Sequence, residues 1–379
     1  MANTKRILFV LNNFTFGGVQ VQALYIGEIY RRAGHEVEFW CTKGNTDPAY
    51  IERLKNAGIR YRICTFIDKF SRRMIHPRFW LYLPKVYNAL RAGKFDLILP
   101  FSFHVSVVMN AFYKVTGNKE CYFMERIGAP FFQNYNLRLD DYALRNTSGL
   151  ITNSWHAARD FAAFYKLTDV PVKVIHNAVS IRTPKQDRAQ WRASLGIPEN
   201  AVVVTMIANL TQIKDHITLL RAWQKYQAAY TDIPTFLVLA GLQYNDKHSD
   251  AFNAFIRENT IPNYTYIGST PDSAGLIQAS EIGVLSSLAE GCPNIVLEFM
   301  AFEKAFIGTS IPGILEVLPE ESKGFTFPIG DENACMTLLR DLIADAAKRK
   351  QLGQVNKAHV NNTFTEEKLK AAYLDLVES

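Results

Sequence analysis

Short apolar runs, each followed by a longer stretch of helical periodicity, recur along the whole sequence. In the first half the runs fall at Arg6–Leu11, Glu36–Cys41, Arg60–Cys64, Leu97–Phe101, Cys121–Met124, Leu150–Thr152 and Val172–Ile175. Helical stretches such as Val19–Ala33 and Pro84–Ala92 lie between most of them. Runs that are apolar throughout describe strands covered on both faces, and intervening helices imply parallel pairing. After a polar stretch, Ser180–Ala189, the pattern restarts. Trp191–Leu195 reads as a short helix, and strands follow at Val202–Ile207, Thr235–Ala240, Tyr264–Ile267, Ile282–Leu285, Ala305–Ile307 and Gly324–Phe327. Helices fall at His216–Tyr226, Ser249–Asn259, Asn294–Phe302 and Asn333–Lys348. The expected fold is α/β, with two tandem doubly wound, Rossmann-like domains over residues 1–180 and 181–365. A chain of 379 residues is too long for one ordinary core and accommodates two.

With 48% hydrophobic and 21% charged residues, disorder and low-complexity arrays are excluded. The most apolar region, Leu97–Tyr113, is broken by Pro100, Ser102, His104, Ser106 and Asn110, and reads as a buried strand and helix. No run is long enough for a spanning helix, and Ile7–Leu11 is too short for a signal segment. Five widely spaced cysteines without a C-x-x-C pair argue against a disulfide framework or zinc site, and point to the cytoplasm.

The formal net charge is +6, but it is unevenly distributed. Residues 1–180 hold 24 Lys/Arg against 13 Asp/Glu, a surplus of eleven; the remainder holds 18 against 23, a deficit of five. Eleven of the basic residues lie in 53–94, where Asp68 is the one acid and aromatic residues are interleaved. The stretch from Ser71 through Arg72, Arg73 and Arg78 to Lys85 suits contact with an anionic membrane surface, or is a solvated basic face over a buried aromatic stripe. No nucleic-acid-binding module is recognisable.

Doubly wound domains take ligands at the C-terminal ends of their strands. Three such loops carry chemistry. Asn12–Gln20 contains Gly17-Gly18, which permits close backbone approach to an anion or simply packs helix on strand; it is not G-x-G-x-x-G. Ala208–His216 carries Lys214, a point charge suited to a diphosphate or a solvated loop lysine, and Asp215, suited to the N-cap. Leu285–Ala301 carries Glu290 and Glu298 around a helix start marked by Pro293-Asn294. Both carboxylates can accept hydrogen bonds from sugar hydroxyls, and the amides of Asn294, Ile295 and Val296 can hold a phosphate. Alternatively each Glu complements the helix dipole.

Taken in order, these loops resemble the family-4 glycosyltransferases of the GT-B fold. Thr152-Asn153-Ser154, His176-Asn177-Ala178-Val179, Leu239-Ala240-Gly241 and Tyr266-Ile267-Gly268 add to the resemblance, which runs over nearly the whole chain. It implies two domains facing across a cleft, with a C-terminal helix of about 366–379 packing back on the first. It also implies a UDP- or GDP-sugar donor held mainly by the second domain, and retention at the transferred carbon. Glu298 would bind the ribose diol and Glu290 the donor sugar, with Gly291 beside it. Lys214 and the 294–296 amides would hold the diphosphate, with Asn209 a further donor-binding candidate. The base would pass Gly268, and Gly17 and Gly18 would approach the reacting centre.

No cofactor and no divalent metal are expected, in keeping with the lack of a D-x-D sequence. Two departures stand out. Where many members have Gly-Arg ahead of the Lys, this chain has Ala208-Asn209. Where many have a His after the fifth strand, it has Glu125-Arg126. Arg126 is a candidate for the missing cation, and with Glu125 and His104 a candidate for the acceptor side; His104 is otherwise a core residue. The expected acceptor is a saccharide or lipid-linked saccharide of surface polysaccharide or glycolipid assembly, met at the inner membrane face. Competing readings are a GT-B epimerase or phosphorylase and a non-catalytic sugar-nucleotide-binding subunit.

Overall fold

A computed structural model describes residues 4–71, 81–126, 137–179, 181 and 183–378. The chain divides into two compact units, 1–177 with 367–379, and 178–366.

The first unit is built on a seven-stranded sheet. Its strands are β1 Arg6–Leu11, β2 Glu36–Cys41, β3 Arg60–Ile63, β4 Leu97–Pro100, β5 Glu120–Glu125, β6 Gly149–Thr152 and β7 Val172–Val174. Every pair is parallel, in the order β3-β2-β1-β4-β5-β6-β7. The inner strands are apolar because helices cover them; Ile7 to Val10 and Leu97 to Leu99 are at most 1% exposed. The helix Glu366–Glu378 lies largely in this unit, where Tyr30 Oη donates to Tyr373 O at 2.5 Å and Lys173 meets Asp375 at 3.3 Å.

The second unit carries six parallel strands, β8 Val202–Ile207, β9 Thr235–Ala240, β10 Tyr264–Tyr266, β11 Ile282–Leu285, β12 Ala305–Thr309 and β13 Thr326–Phe327. Their order is β10-β9-β8-β11-β12-β13. In each sheet the winding reverses beside the unit's first strand, between β1 and β4 and between β8 and β11. Connections leave such a switch point in opposite directions, which opens a crevice at the strand ends. The Gly17-Gly18 loop follows β1, the Lys214 loop follows β8 and the Glu290 loop follows β11.

Several expected bounds differ from the structure. The single helix expected over Asn333–Lys348 is two, Glu332–Ala344 and Ala346–Thr363, because the Asp345 carboxylate caps the second by accepting from Lys348 N at 2.8 Å. The last strand is shorter than Gly324–Phe327. The polar stretch around 185 is tied into the second unit, since the amides of Lys185 and Gln186 each donate to the Asp272 carboxylate at 3.0 Å. Asp272 also accepts from Trp191 Nε1 at 3.0 Å. The chain therefore leaves the first unit at Asn177, before Ser180.

Candidate active site

In the second unit, the loops after β8 and β11 are joined backbone to backbone. Lys214 and Ser287 form an isolated antiparallel bridge, Asp215 N donates to Ser286 O at 3.0 Å, and Leu288 N donates to Ile213 O at 2.8 Å. This join carries the Lys214 ammonium to the Glu290 carboxylate, with which it forms a salt bridge. The two side chains are 16% and 11% exposed, so the pair is largely removed from water. Ser287 Oγ donates to the same oxygen, Glu290 Oε1, at 2.6 Å. The cation and the first carboxylate of the sequence motif therefore form one cluster at the switch point.

Glu290 is held from behind as well. A Cβ at Gly313 would stand 2.2 Å from Glu290 O and 2.7 Å from Gly291 O, both backbone atoms. Only glycine lets the helix Pro312–Val317 come this close, and it fixes the height of the Glu290-Gly291 backbone.

The helix Asn294–Ala301 starts where expected, with Pro293 at its N-cap in extended conformation. Glu298 lies one turn in, partly exposed, and Asn294 and Ile295 are partly exposed in the first turn. Val296 is buried, and its amide donates to Pro293 O at 3.1 Å, the short i to i−3 bond with which many helices begin.

Asn209 ties two loops together. Its Oδ1 accepts from Leu242 N at 2.8 Å and its Nδ2 donates to Tyr244 Oη at 3.3 Å. Gly241 allows this junction: a Cβ there would stand 1.9 Å from Ala208 O. Gly241 N in turn donates to Gly268 O at 2.8 Å, and Gly268 has φ +69°. The β8, β9 and β10 loops are thus stitched together, with Asn209 acting as a fastener. Under the Lys214 loop, the ring nitrogens of buried His216 lie 3.2 Å from Ala208 O and 3.4 Å from Lys214 O. Burial pushes this imidazole down to about 4, against the pull of those carbonyls. A cavity of about 310 Å³ opens beside the same loop, lined by Lys214, His216, His248 and Phe252 among others, but not by Gly268, Glu290 or Glu298.

In the first unit, Gly17 is the N-cap of the helix Gly18–Arg32, and Gly18 is exposed. Asn13 Oδ1 accepts from Gln20 Nε2 at 2.7 Å across this loop. Ser102 Oγ donates to Asn12 Oδ1 at 3.1 Å, which joins the loops after β1 and β4. Arg126, at the end of β5, is engaged within its own unit. Its Nη2 donates to Gln22 Oε1 and, at 2.8 Å, to Asn177 Oδ1, and its guanidinium lies 5.3 Å from the Phe101 ring centre. Gln22 Nε2 closes the triangle on Asn177 Oδ1 at 2.5 Å. Glu125 is buried and accepts from Arg126 N at 2.8 Å. His104 is partly buried, edge-on to Phe103 at 6.4 Å.

The basic stretch is partly neutralised where it is described. Arg53 pairs with Glu28 at 3.0 Å, and Arg60 with Glu36 and Arg62 with Glu38 at 2.8 Å each. Arg72, Arg73 and Arg78 lie outside the described residues. Among the described residues no helix is long and apolar enough to cross a membrane, and no group of three or more His, Cys, Asp and Glu could hold a metal ion.

Ser287, Thr309, Gly313 and Tyr244 are missing from the sequence reading. Gly313 had a weak signal, a Pro-Gly pair after a strand; the other three look like ordinary loop and strand residues until their partners are known.

Two family models match consecutive stretches of the chain: Glycosyltransferase Family 4 over residues 16–183 and Glycosyl transferases group 1 over 187–359. The chain is 24% identical over 203 residues to N-acetyl-alpha-D-glucosaminyl L-malate synthase of Bacillus anthracis. That match covers 53% of this chain and 52% of the relative, so it spans about half of that protein's length. Identity to the lipopolysaccharide core biosynthesis glycosyltransferase LpsE of Rhizobium meliloti is 23% over 300 residues, 78% of this chain and 79% of the other. Among solved structures, Anabaena Alr3699/HepE in complex with UDP and glucose superimposes with a TM-score of 0.81 at 20% identity, over 99% of each chain. The same protein in complex with UDP-glucose gives 0.81 at 19%. The two parallel sheets of seven and six strands thus have the GT-B arrangement.

Proposed function

The chain belongs to the family-4, group 1 glycosyltransferases of the GT-B fold, and on that premise we propose that it transfers a sugar from a UDP-activated donor to a saccharide or lipid-linked saccharide. The observation that carries this reading is the cluster of Lys214, Ser287 and Glu290 at the switch point of the second sheet, one connection before Glu298. A departing nucleoside diphosphate needs a cation, and an oxocarbenium-like sugar needs oriented oxygens. Lys214 supplies the first and Glu290 the second, Glu298 binds the ribose diol, and the Asn294 and Ile295 amides contribute at the helix start. Configuration is retained, with the leaving phosphate taking the acceptor's proton. No divalent cation takes part, because Lys214 and the helix start supply the positive charge.

The UDP preference is supported by the UDP and UDP-glucose complexes of the Anabaena neighbour. Lipopolysaccharide core synthesis by the Rhizobium relative supports a surface-glycan acceptor, and the basic, aromatic stretch 53–94 supports a site of action at the inner membrane face. The test is release of nucleoside diphosphate from a panel of UDP- and GDP-sugars, with and without EDTA. UDP release that EDTA leaves intact is expected. A protein that binds UDP-sugars yet never releases UDP with any acceptor is a binding subunit, and interconversion of the sugar without release marks an epimerase.

A further inference from the structure

Glu290 lies at the end of a chain of buried hydroxyl contacts that the reaction chemistry alone does not call for. Thr309, the last residue of β12, is 1% exposed, and Ser287, just past β11, is fully buried. Thr309 Oγ1 accepts from Ser287 N at 2.7 Å and lies 2.8 Å from Ser287 O, so it grips both backbone groups of one residue. Ser287 Oγ then donates to Glu290 Oε1 at 2.6 Å, the oxygen that also takes the Lys214 ammonium. A free carboxylate rotates about its last torsion almost without cost. Two donors meeting on one oxygen, one of them on a backbone that is itself clamped, remove that freedom.

We infer that Ser287 is a positioning residue: its hydroxyl, seated by Thr309, sets the direction of the Glu290 carboxylate. The inference rests on the sugar-transfer reading above. Ser287 acts through Glu290, so its removal changes the turnover of bound donor more than the binding of the nucleotide. A hydrogen bond to a charged group is worth about 10- to 100-fold in rate when it serves the transition state alone. Thr309 acts one step further back, and an isosteric loss of its hydroxyl leaves the Ser287 amide without its acceptor.

The experiment uses the full chain, with UDP-glucose as donor and water as acceptor, and UDP binding read from the melting shift. Ser287→Ala is expected to lower kcat about 10- to 100-fold, with KM and the UDP melting shift nearly unchanged. Thr309→Val is expected to lower kcat as well, and Thr309→Ser, which keeps the hydroxyl, to restore it. In a Glu290→Gln background, Ser287→Ala should add little. Unchanged kcat in Ser287→Ala, or an effect that multiplies in full with that of Glu290→Gln, overturns the inference. If UDP-glucose is not turned over by the wild type, the donor reading fails separately. Urea unfolding of the same wild type, two single variants and double variant then decides the coupling. A double variant less destabilised than the two singles together upholds it, and strict additivity overturns it.

Discussion

The ammonium of Lys214 and the carboxylate of Glu290 are bound to each other, although 76 residues separate them in the chain. Each thus holds the other in place before any donor arrives. Glu290→Gln removes one charge of a largely buried pair and is expected to slow transfer by about 10²–10³ while nucleotide binding persists. Lys214→Met is expected to weaken UDP binding instead, as read by a smaller UDP-induced melting shift. Equal turnover in Glu290→Gln and wild type would remove Glu290 from the chemistry.

Gly313 presses on the Glu290-Gly291 backbone. Gly313→Ala is expected to push that loop aside, with a stability loss of about 1–3 kcal/mol for the overpacking and a fall in kcat. Chemical denaturation and steady-state kinetics on the same preparation check it. Wild-type values for both would show that the helix Pro312–Val317 yields without cost.

His216 gives the second unit a pH dependence whose sign follows from burial. Its folded value lies at about 4, against 6.5 for the unfolded chain. Above 6.5 neither state binds the proton, and the contribution is complete. As pH falls from 6.5 toward 4, the unfolded chain takes up the proton first, and up to about 3 kcal/mol is lost. Below 4 the loss levels off. Urea unfolding of wild type and His216→Asn between pH 7 and pH 4 tests this. The variant should be less stable at pH 7 and show a shallower decline, and parallel slopes would count against it.

Arg126 holds Gln22 and Asn177 together, close to where the chain leaves the first unit. Arg126→Met takes this donor from the buried Gln22 amide oxygen, while Asn177 Oδ1 still accepts from Gln22 Nε2, at a cost of about 1–3 kcal/mol. A lowered melting temperature is the expected result. Lost transfer at an unchanged melting temperature would instead assign the guanidinium to substrate.

The basic stretch 53–94 is expected to bring the protein to anionic lipid. Flotation with phosphatidylserine-containing vesicles should carry the wild type and release a variant in which Arg72, Arg73 and Arg78 are neutralised. Release of the wild type by raised salt would confirm an electrostatic contact. Failure of both proteins to float would reduce the stretch to a charged surface.

Much of the architecture was legible in the sequence because its causes are local. A strand buried on both faces must be apolar throughout, and β8 Val202–Ile207, β9 Thr235–Ala240 and β11 Ile282–Leu285 stand where their apolar runs place them. Pro293-Asn294 starts a helix because proline lacks the amide that the first turn cannot use. Such rules act over one turn or a few residues, and the Glu290-to-Glu298 spacing falls within their reach. Even here the short bond of the Val296 amide on Pro293 goes unseen, since nothing in residue type shows which first-turn donors close one.

Only the tertiary structure decided the partners. Lys214 meets Glu290 because β8 and β11 are neighbours across the switch point, and Ser287 meets Thr309 because β11 pairs with β12. Asn209 fastens to Tyr244, and Arg126 to Gln22 and Asn177, for the same kind of reason. Strand order is set by how all the helices and strands bury their apolar faces together. No local spacing carries it, and so the residues could be picked out along the chain while the bonds among them could not.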